Sequence, residues 1–152
     1  MNVENIKRVR DHIAGLPEER FNMLCYVGLA DDSGRLLDYE PRGATNATAL
    51  EGSCGTTACI AGWTLALLRP DERQSKAPIL DAGNALGLKH EDAKALFEPH
   101  NFAASFRGPL HKASRAKVLR VLDHLLETGE VDWSVATDAL QRARGEQAEG
   151  GR

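Results

Sequence analysis

The feature that most constrains the fold is an apolar run in the middle of the chain. Residues 58–68 contain a single polar residue, Thr64. A helix built from this run would be apolar on nearly every side, and such a helix belongs inside a protein core. We therefore predict a central helix over residues 57–68, capped by a threonine at its start and ended by Pro70. Its small residues, including Gly62, predict close packing by a neighbouring helix.

Several flanking segments repeat apolar residues every three or four positions, which predicts amphipathic helices packed around the central one. Asn2 and Ser114 are candidate N-caps of the two longest helices, and Pro17 and Gly129 end them. Two short helices are predicted to begin at residues 78 and 90 and to pack against each other as a helical hairpin. The apolar stripes of the two long helices are Val3, Ile6, Val9, Ile13 and Leu16, and Val118, Leu119, Leu122, Leu125 and Leu126.

Residues 21–29 and 36–39 have the character of two short strands, separated by an Asp-Asp-Ser-Gly turn, and predict a small β-hairpin. Residues 41–53 follow as a long loop, and Phe102 and Phe106 are expected to anchor a later loop onto the core. Asp132 is expected to cap a last helix. The fold class that we predict is mainly α: a single-domain bundle of about five to six helices around the central apolar helix, with one small hairpin. We assign residues 1–144 to this domain and residues 145–152 to a flexible tail.

The length, net charge and apolar segments of the chain limit the classes of function that fit it. The 152 residues fit one domain, and the formal net charge of -3 makes a dedicated nucleic-acid binder unlikely, because such domains are usually basic. No apolar run approaches the roughly 20 residues needed to cross a bilayer, and the first residues lack the pattern of a signal peptide. We therefore expect a cytoplasmic protein without membrane contact, whose three cysteines are thiols.

Nucleic-acid binding remains an alternative because the two short helices resemble a helix-turn-helix unit. The second of them begins His90-Glu91-Asp92, however, and its two carboxylates would repel phosphates. The basic segment 112–120 offers a better contact surface, although a solvated charged face is the commoner role of such a segment.

The motif around the start of the central helix resembles one found in a family of small uncharacterised proteins of bacteria and their phages. Residues 54–63 carry it, reading Cys-Gly-Thr-Thr-Ala-Cys-Ile-Ala-Gly-Trp. The chain departs from that family at Leu24-Cys25-Tyr26, where those proteins often have a tryptophan. The resemblance does not suggest any particular activity. It extends to residues 2–5, 20–23, 86–88, 96–97 and 128–133.

Cys54 is the candidate nucleophile of the chain. If the central helix begins at Thr56 or Thr57, the backbone N–H groups of that helix would stabilise a thiolate at Cys54. A nucleophilic cysteine also needs a base, and His100 and His111 are the best candidates. The alternative function is therefore a cysteine-dependent hydrolase or transferase.

Metal binding and a purely structural role are the other interpretations of the cysteines. Cys54 and Cys59 are separated by four residues, a spacing seen in zinc pairs, and His100 or His111 could complete a site. Only one such pair exists, so we predict no metal. Cys59 and Cys25 suit burial as small apolar residues.

Our main prediction is a small accessory binding protein without catalytic activity or cofactor. We expect its partner to be a protein of unknown identity, bound beside the loop at residues 41–53, and the oligomeric state is open. The predicted binding residues are Gly52, Ser53, Gly55, Thr56 and Trp63.

Overall fold

The computed structural model describes residues 1–24, 26–30, 36–38, 45–47, 56–106, 108, 110 and 113–136. This part of the chain is mainly helical and carries one small antiparallel sheet, which confirms the predicted fold class. The helices with full bounds are α1 (Val3–Gly15), α2 (Ile60–Leu68), α3 (Pro78–Ala85), α4 (His90–Phe97), α5 (Pro99–Phe102) and α6 (Arg115–Thr128). The strands are β1 (Val27–Ala30), β2 (Leu36–Asp38) and β3 (Thr56–Ala58), and 3-10 turns cover Glu18–Arg20 and Trp133–Ala136.

The two long helices, α1 and α6, begin and end where the sequence predicts. The Asn2 side chain accepts a hydrogen bond from the backbone N–H of Asn5, and Ser114 caps α6 in the same way. Gly129 ends α6 with a φ of 81°, a conformation that glycine adopts without strain. The two helices pack against each other through the buried residues of their apolar stripes, so their pairing forms one side of the core. Val3, the first residue of the predicted α1 stripe, is instead 51% exposed.

The sheet has the strand order β2-β1-β3, and both pairings are antiparallel. Strands β1 and β2 form the predicted hairpin, but the first strand begins at Val27 and not at Phe21 as predicted. The third strand, β3, was not predicted; it pairs Val27 with Ala58 and Leu29 with Thr56. This strand carries the chain directly into α2.

The predicted start of the central helix is therefore wrong by three residues. Helix α2 begins at Ile60, because Thr56 and Thr57 are paired with β1 and cannot cap a helix at the same time. β-Branched threonines suit a strand, and the partner strand lies far away along the chain. Cys59 occupies the N-cap position instead.

Helix α2 lies in the core, as its apolar composition predicts. Its residues from Ile60 to Leu65 are buried, and its last turn is half-buried. Thr64, the polar residue of the run, donates a hydrogen bond from its hydroxyl to the carbonyl of Ile60 (2.7 Å). The Thr64 hydroxyl thus has a hydrogen-bond partner within the helix, so its burial does not leave an unsatisfied polar group in the core.

Gly62 is needed for close packing, although the neighbour is not the helix that we predicted. A Cβ atom placed on Gly62 would lie 2.8 Å from the Cβ of Ala58 and closer still to the carbonyl oxygen of Tyr26. The segment that leads into β1 therefore presses directly on α2. Helices α3 and α4 meet in the same manner at Gly83, whose added Cβ would lie 2.6 Å from that of Ala93.

The region after α4 differs in part from the prediction. Residues 99–102 form the short helix α5 rather than a loop, and Phe102 is 46% exposed, so it does not anchor the chain. Phe106 does, because its ring packs edge-on against Trp133 with the ring centroids 5.2 Å apart. Asp132 accepts a hydrogen bond from the Ser134 backbone N–H at the start of the final 3-10 turn.

Some predicted features lie outside the described residues. These are the end of the last helix, the tail at 145–152, and all of the loop at 41–53 except residues 45–47. Among the helices in the described ranges, none combines the length and the apolar character required to cross a bilayer.

Candidate binding cavity at Trp63

The structure describes three of the eight residues that the sequence proposes for a site. Trp63 lies on α2, His100 lies on α5, and the backbone of Thr56 pairs with Leu29 in the sheet. Trp63 and His100 line two different cavities. The other five residues lie outside the described part of the chain: Gly52, Ser53, Cys54, Gly55 and His111.

Trp63 is held on two sides by residues of the first third of the chain. Its indole N–H donates a hydrogen bond to the backbone carbonyl of Arg20 (3.1 Å). The guanidinium carbon of Arg20 lies 5.3 Å from the centroid of the indole ring, within the range of a cation–π contact. The imidazole of His12 packs against the same indole at a tilt of 52°, with the centroids 5.1 Å apart. The orientation of the indole is therefore fixed.

A cavity of about 320 Å³ opens beside this cluster, and we call it the Trp63 cavity. Its volume is at the lower end of the roughly 300–1,000 Å³ that is usual for small-molecule sites. Most of its wall is aliphatic or aromatic. The lining residues that the structure describes are His12, Leu16, Arg20, Ala47, Trp63, Ala66 and Leu67.

Three segments build the cavity. His12 and Leu16 are one helical turn apart at the end of α1, and Arg20 follows in the 3-10 turn after Pro17. Ala66 and Leu67 stand on the last turn of α2, where the helix emerges from the core. The cavity thus forms where the end of α1 crosses the half-buried end of α2.

The third segment is the short stretch 45–47, which is fastened to the chain that follows α2. The backbone N–H of Asn46 donates to the carbonyl of Glu72 (2.9 Å), and that of Ala47 donates to Pro70 (3.0 Å). The buried side chain of Asn46 donates to the carbonyl of Arg69 (2.9 Å) and accepts from the Tyr26 hydroxyl (3.3 Å). Ala47 is therefore held in the cavity wall by its neighbour.

The electrostatics of the cavity depend on Arg20. Among the described lining residues it is the one that carries a permanent charge, since a guanidinium stays protonated in proteins. Burial lowers the pKa of His12 below its ordinary value of 6.5, and the nearby Arg20 charge lowers it further. The imidazole is therefore mainly neutral at pH 7. Its Nε2 atom is enclosed and has no hydrogen-bond partner among the described residues, which also disfavours the charged form.

The second cavity, the Cys59 cavity, has a volume of about 210 Å³ and lies on the other side of the start of α2. Cys59 and the exposed His100 both line it, so the structure places a cysteine and a predicted base at the same opening. The residues that line it are Met23, Leu24, Tyr26, Cys59, Ala61, Pro78, Ile79, Phe97, Glu98, His100 and Leu110.

The environment of Cys59 is unsuited to a nucleophile. Burial raises the pKa of its thiol, and the negative charge of Glu98 adds to this effect. The backbone N–H groups of Ala61 and Gly62 at the helix start act in the opposite direction but do not outweigh burial. Burial likewise raises the pKa of the neighbouring Tyr26 hydroxyl to about 12. Cys59 therefore remains a protonated thiol, as the structural interpretation of this cysteine predicts.

The position of Cys59 also changes the argument for Cys54. Cys54 was predicted to lie immediately before a helix, whereas α2 begins at Ile60 and the strand β3 lies between them. The helix dipole acts over the first turn, so it reaches Cys59 rather than Cys54. A catalytic role for Cys54 stays a prediction without that support.

Comparisons with protein-family models, with curated proteins and with solved structures found no match at the level required for significance. Within the described ranges, no group of three or more histidine, cysteine, aspartate or glutamate side chains is placed to hold a metal ion.

Sequence reasoning singled out Trp63 but missed the residues around it. His12 lies beside the apolar stripe of the first helix, a position typical of an ordinary boundary residue. One signal was available, because His12 and Leu16 are four residues apart and so share a helix face. Arg20 gave no signal, since its contact with Trp63 joins residues 43 positions apart.

Proposed function

We propose that the protein is a binding protein without catalytic activity, and that it takes a small organic ligand with a flat apolar body in the Trp63 cavity. The observation that carries this proposal is the composition of the cavity wall. The described wall combines an indole of fixed orientation with aliphatic side chains and one charged side chain, that of Arg20. Concave sites with a mostly apolar lining and few polar groups are the usual form of small-molecule sites.

The preformed shape of the cavity supports the proposal. The indole is oriented by its hydrogen bond to Arg20, and the part of the wall at Ala47 is fastened through Asn46. A ligand that enters would therefore not have to order these walls, and binding avoids part of the usual entropic cost.

Trp63 supports binding through the small part of its indole that lines the cavity, since the residue is 5% exposed and Arg20 and His12 contact its ring. An aromatic ring of a ligand gains about 0.5–1.5 kcal/mol from an offset or edge-on contact with another aromatic ring, beyond the gain from area burial. Ala66 and Ala47 are the smallest lining side chains, and they leave the space that such a ring requires.

The experiment uses the two tryptophans of the chain as site and control. Trp133 lies in a separate part of the core, where its indole N–H donates to the carbonyl of Ala95 (2.9 Å). We would record the indole N–H signals of ¹⁵N-labelled protein by NMR during titration with a set of small aromatic acids, amides and amines. We expect at least one compound class to shift the Trp63 signal saturably, with no shift of the Trp133 signal.

A variant that fills the cavity completes the test. Ala66→Leu places an isobutyl group in the Trp63 cavity at a half-buried helix position, and it should abolish the shift of the Trp63 signal. Ala116→Leu adds the same group at an exposed position of α6 and should leave binding unchanged. The proposal fails if no compound class shifts the Trp63 signal, or if Ala66→Leu binds as the unaltered protein does.

The protein partner expected beside residues 41–53, of which the structure describes 45–47, and the cysteine-dependent alternative through Cys54 both depend mainly on residues outside the described part of the chain. Neither has a described contact that favours it.

A further inference from the structure

We infer that the Cys59 cavity is a second binding site, and that it takes an aliphatic amine whose ammonium group pairs with the carboxylate of Glu98. This inference goes beyond the proposed function, because it concerns a different cavity and a ligand of different chemistry. The two can therefore fail independently.

The carboxylate of Glu98 supplies the first argument. Glu98 directly follows the last residue of α4, is half-buried and lines the cavity. Among the described residues, none forms a hydrogen bond or an ion pair with its carboxylate. Lys94, one turn earlier, has its ammonium 3.9 Å from the carboxylate of Glu91 and 5.0 Å from the centroid of the Phe102 ring. A half-buried carboxylate has lost part of its hydration, and a bound cation would compensate for that loss.

The charge of Glu98 acts on the interior of the cavity. Burial is the main cause that raises the pKa of the enclosed Cys59 thiol, and the negative charge of Glu98 raises it further. An ammonium group placed between these two residues would therefore be within the field of the carboxylate.

The charges of the remaining wall supply the second argument. No lysine or arginine is among the described residues that line the cavity. Burial raises the pKa of the Cys59 thiol and raises that of the Tyr26 hydroxyl to about 12, so both groups stay protonated and uncharged at pH 7. The backbone N–H groups at the start of α2 hydrogen-bond to the sulfur of Cys59. A cation in the cavity would thus meet the negative charge of Glu98, whereas a carboxylate would meet a charge of its own sign.

The size and the apolar surface of the cavity define the body of the ligand. Its volume of about 210 Å³ is below the roughly 300–1,000 Å³ that is usual for drug-sized ligands, so the body must be small. Most of the remaining lining side chains are apolar, among them Met23, Ile79 and Leu110. Leu24, which also lines the cavity, is 46% exposed. A short aliphatic chain would cover apolar surface that water now contacts, which favours binding.

The test compares three probes that share a pentyl group: pentylamine, pentan-1-ol and hexanoate. Each is titrated into the full-length protein labelled with ¹³C at the δ1 methyl groups of isoleucine. The Ile79 signal reports on the cavity, and the Ile6 signal is the control, because Ile6 is fully buried in α1 and does not line it. We expect pentylamine to shift the Ile79 signal saturably, with a Kd about tenfold lower than that of pentan-1-ol or better, because a charge-assisted hydrogen bond is added to the same apolar contact. We expect hexanoate to bind more weakly than both.

Variants assign the preference to Glu98. Glu98→Gln should remove the advantage of pentylamine over pentan-1-ol and leave the Kd of pentan-1-ol nearly unchanged. Glu127→Gln makes the same change at an exposed position of α6 that does not line the cavity, and it should retain the preference. His100→Gln should also retain it, because a positive charge at this exposed lining residue could only oppose an amine. The isoleucine methyl spectrum checks that each variant is folded. If Glu98→Gln does not fold, Glu98→Asp takes its place and should lower the preference by withdrawing the carboxylate by one methylene group.

An ammonium group on an aliphatic chain occurs both in free amines and in the lysine side chains of proteins. Nα-acetyl-lysine N-methylamide carries this group on a peptide unit and distinguishes the two sources. Binding as tight as that of pentylamine would assign the site to a lysine side chain, and weaker binding would assign it to a free amine. Both results agree with the inference.

Three results would overturn the inference. The first is that pentylamine binds no better than pentan-1-ol or hexanoate, and the second is that its preference survives Glu98→Gln or is lost in His100→Gln. The third is that no probe shifts the Ile79 signal. None of these results bears on the Trp63 cavity, whose ligands are detected through the Trp63 indole signal.

Discussion

Replacing Gly62 by alanine tests how tightly the start of the sheet presses on α2. The new methyl group would lie 2.8 Å from the Cβ of Ala58, which is 0.6 Å short of the 3.4 Å at which ordinary contact begins. The carbonyl oxygen of Tyr26 would be closer still. Either α2 or the chain that leads into β1 must therefore move.

The expected magnitude follows from two opposing effects. Overpacking a core costs about 1–3 kcal/mol, and this site belongs at the upper end because the obstacle includes backbone. Alanine gains about 1 kcal/mol over glycine in helix propensity. We expect a net loss of about 2 kcal/mol in the free energy of unfolding, which for a chain of this size lowers Tm by about 4–8 °C.

Thermal and urea denaturation, followed by far-ultraviolet circular dichroism, would measure this loss. Gly15→Ala is the matched control, since Gly15 also lies in a helix but no described atom comes within 4 Å of an added Cβ. That variant should gain up to about 1 kcal/mol. If Gly62→Ala is as stable as Gly15→Ala, the close approach of Tyr26 to α2 is refuted.

Three further predictions concern single side chains. Burial lowers the pKa of His12 in the folded protein, so the unfolded chain binds a proton at this residue more readily. The contribution of His12 to the free energy of unfolding should be fully present above the unfolded pKa near 6.5 and should decrease as the pH falls below it. Denaturation curves at several pH values should show this decrease, and His12→Gln should remove it. Iodoacetamide should label Cys59 more slowly in the native protein than in urea, and peptide mass spectrometry would show whether Cys54 instead reacts faster, as a catalytic thiol must. Asp123→Asn breaks a two-bond pair with Arg10 (2.7 and 3.2 Å) between α1 and α6, and because both side chains are partly exposed it should cost no more than about 1 kcal/mol, less at high salt.

The parts of the fold that could be predicted are those fixed by local interactions. Helices α1 and α6 follow from caps and stripes within one stretch of sequence, and the hairpin of β1 and β2 follows from neighbouring segments. The start of α2 could not be predicted in this way. Thr56 and Thr57 are compatible with a helix cap or a strand, and the choice is made by pairing with β1, whose residues lie almost thirty positions earlier.

The same distinction applies to the candidate site. Trp63 stands out in the sequence because it follows a small-residue motif in the apolar run. Its neighbours His12 and Arg20 come from a different helix and the turn after it, and the cavity exists only once these segments cross. The sequence also suggested that Phe102 anchors a loop onto the core, yet the residue is 46% exposed, and the Lys94 ammonium lies 5.0 Å from its ring centroid.

The buried, hydrogen-bonded position of the Asn46 side chain has a practical consequence for producing the protein. Residues 46–48 read Asn-Ala-Thr, which is an acceptor triplet for N-linked sugar in a secretory pathway. The amide nitrogen that would carry the sugar is enclosed and donates to the carbonyl of Arg69. A glycan attached before folding could not enter that space, so a glycosylated chain would lose the fastening of one cavity wall. Expression in a host without this modification, or removal of the threonine from the triplet, keeps the asparagine in its place.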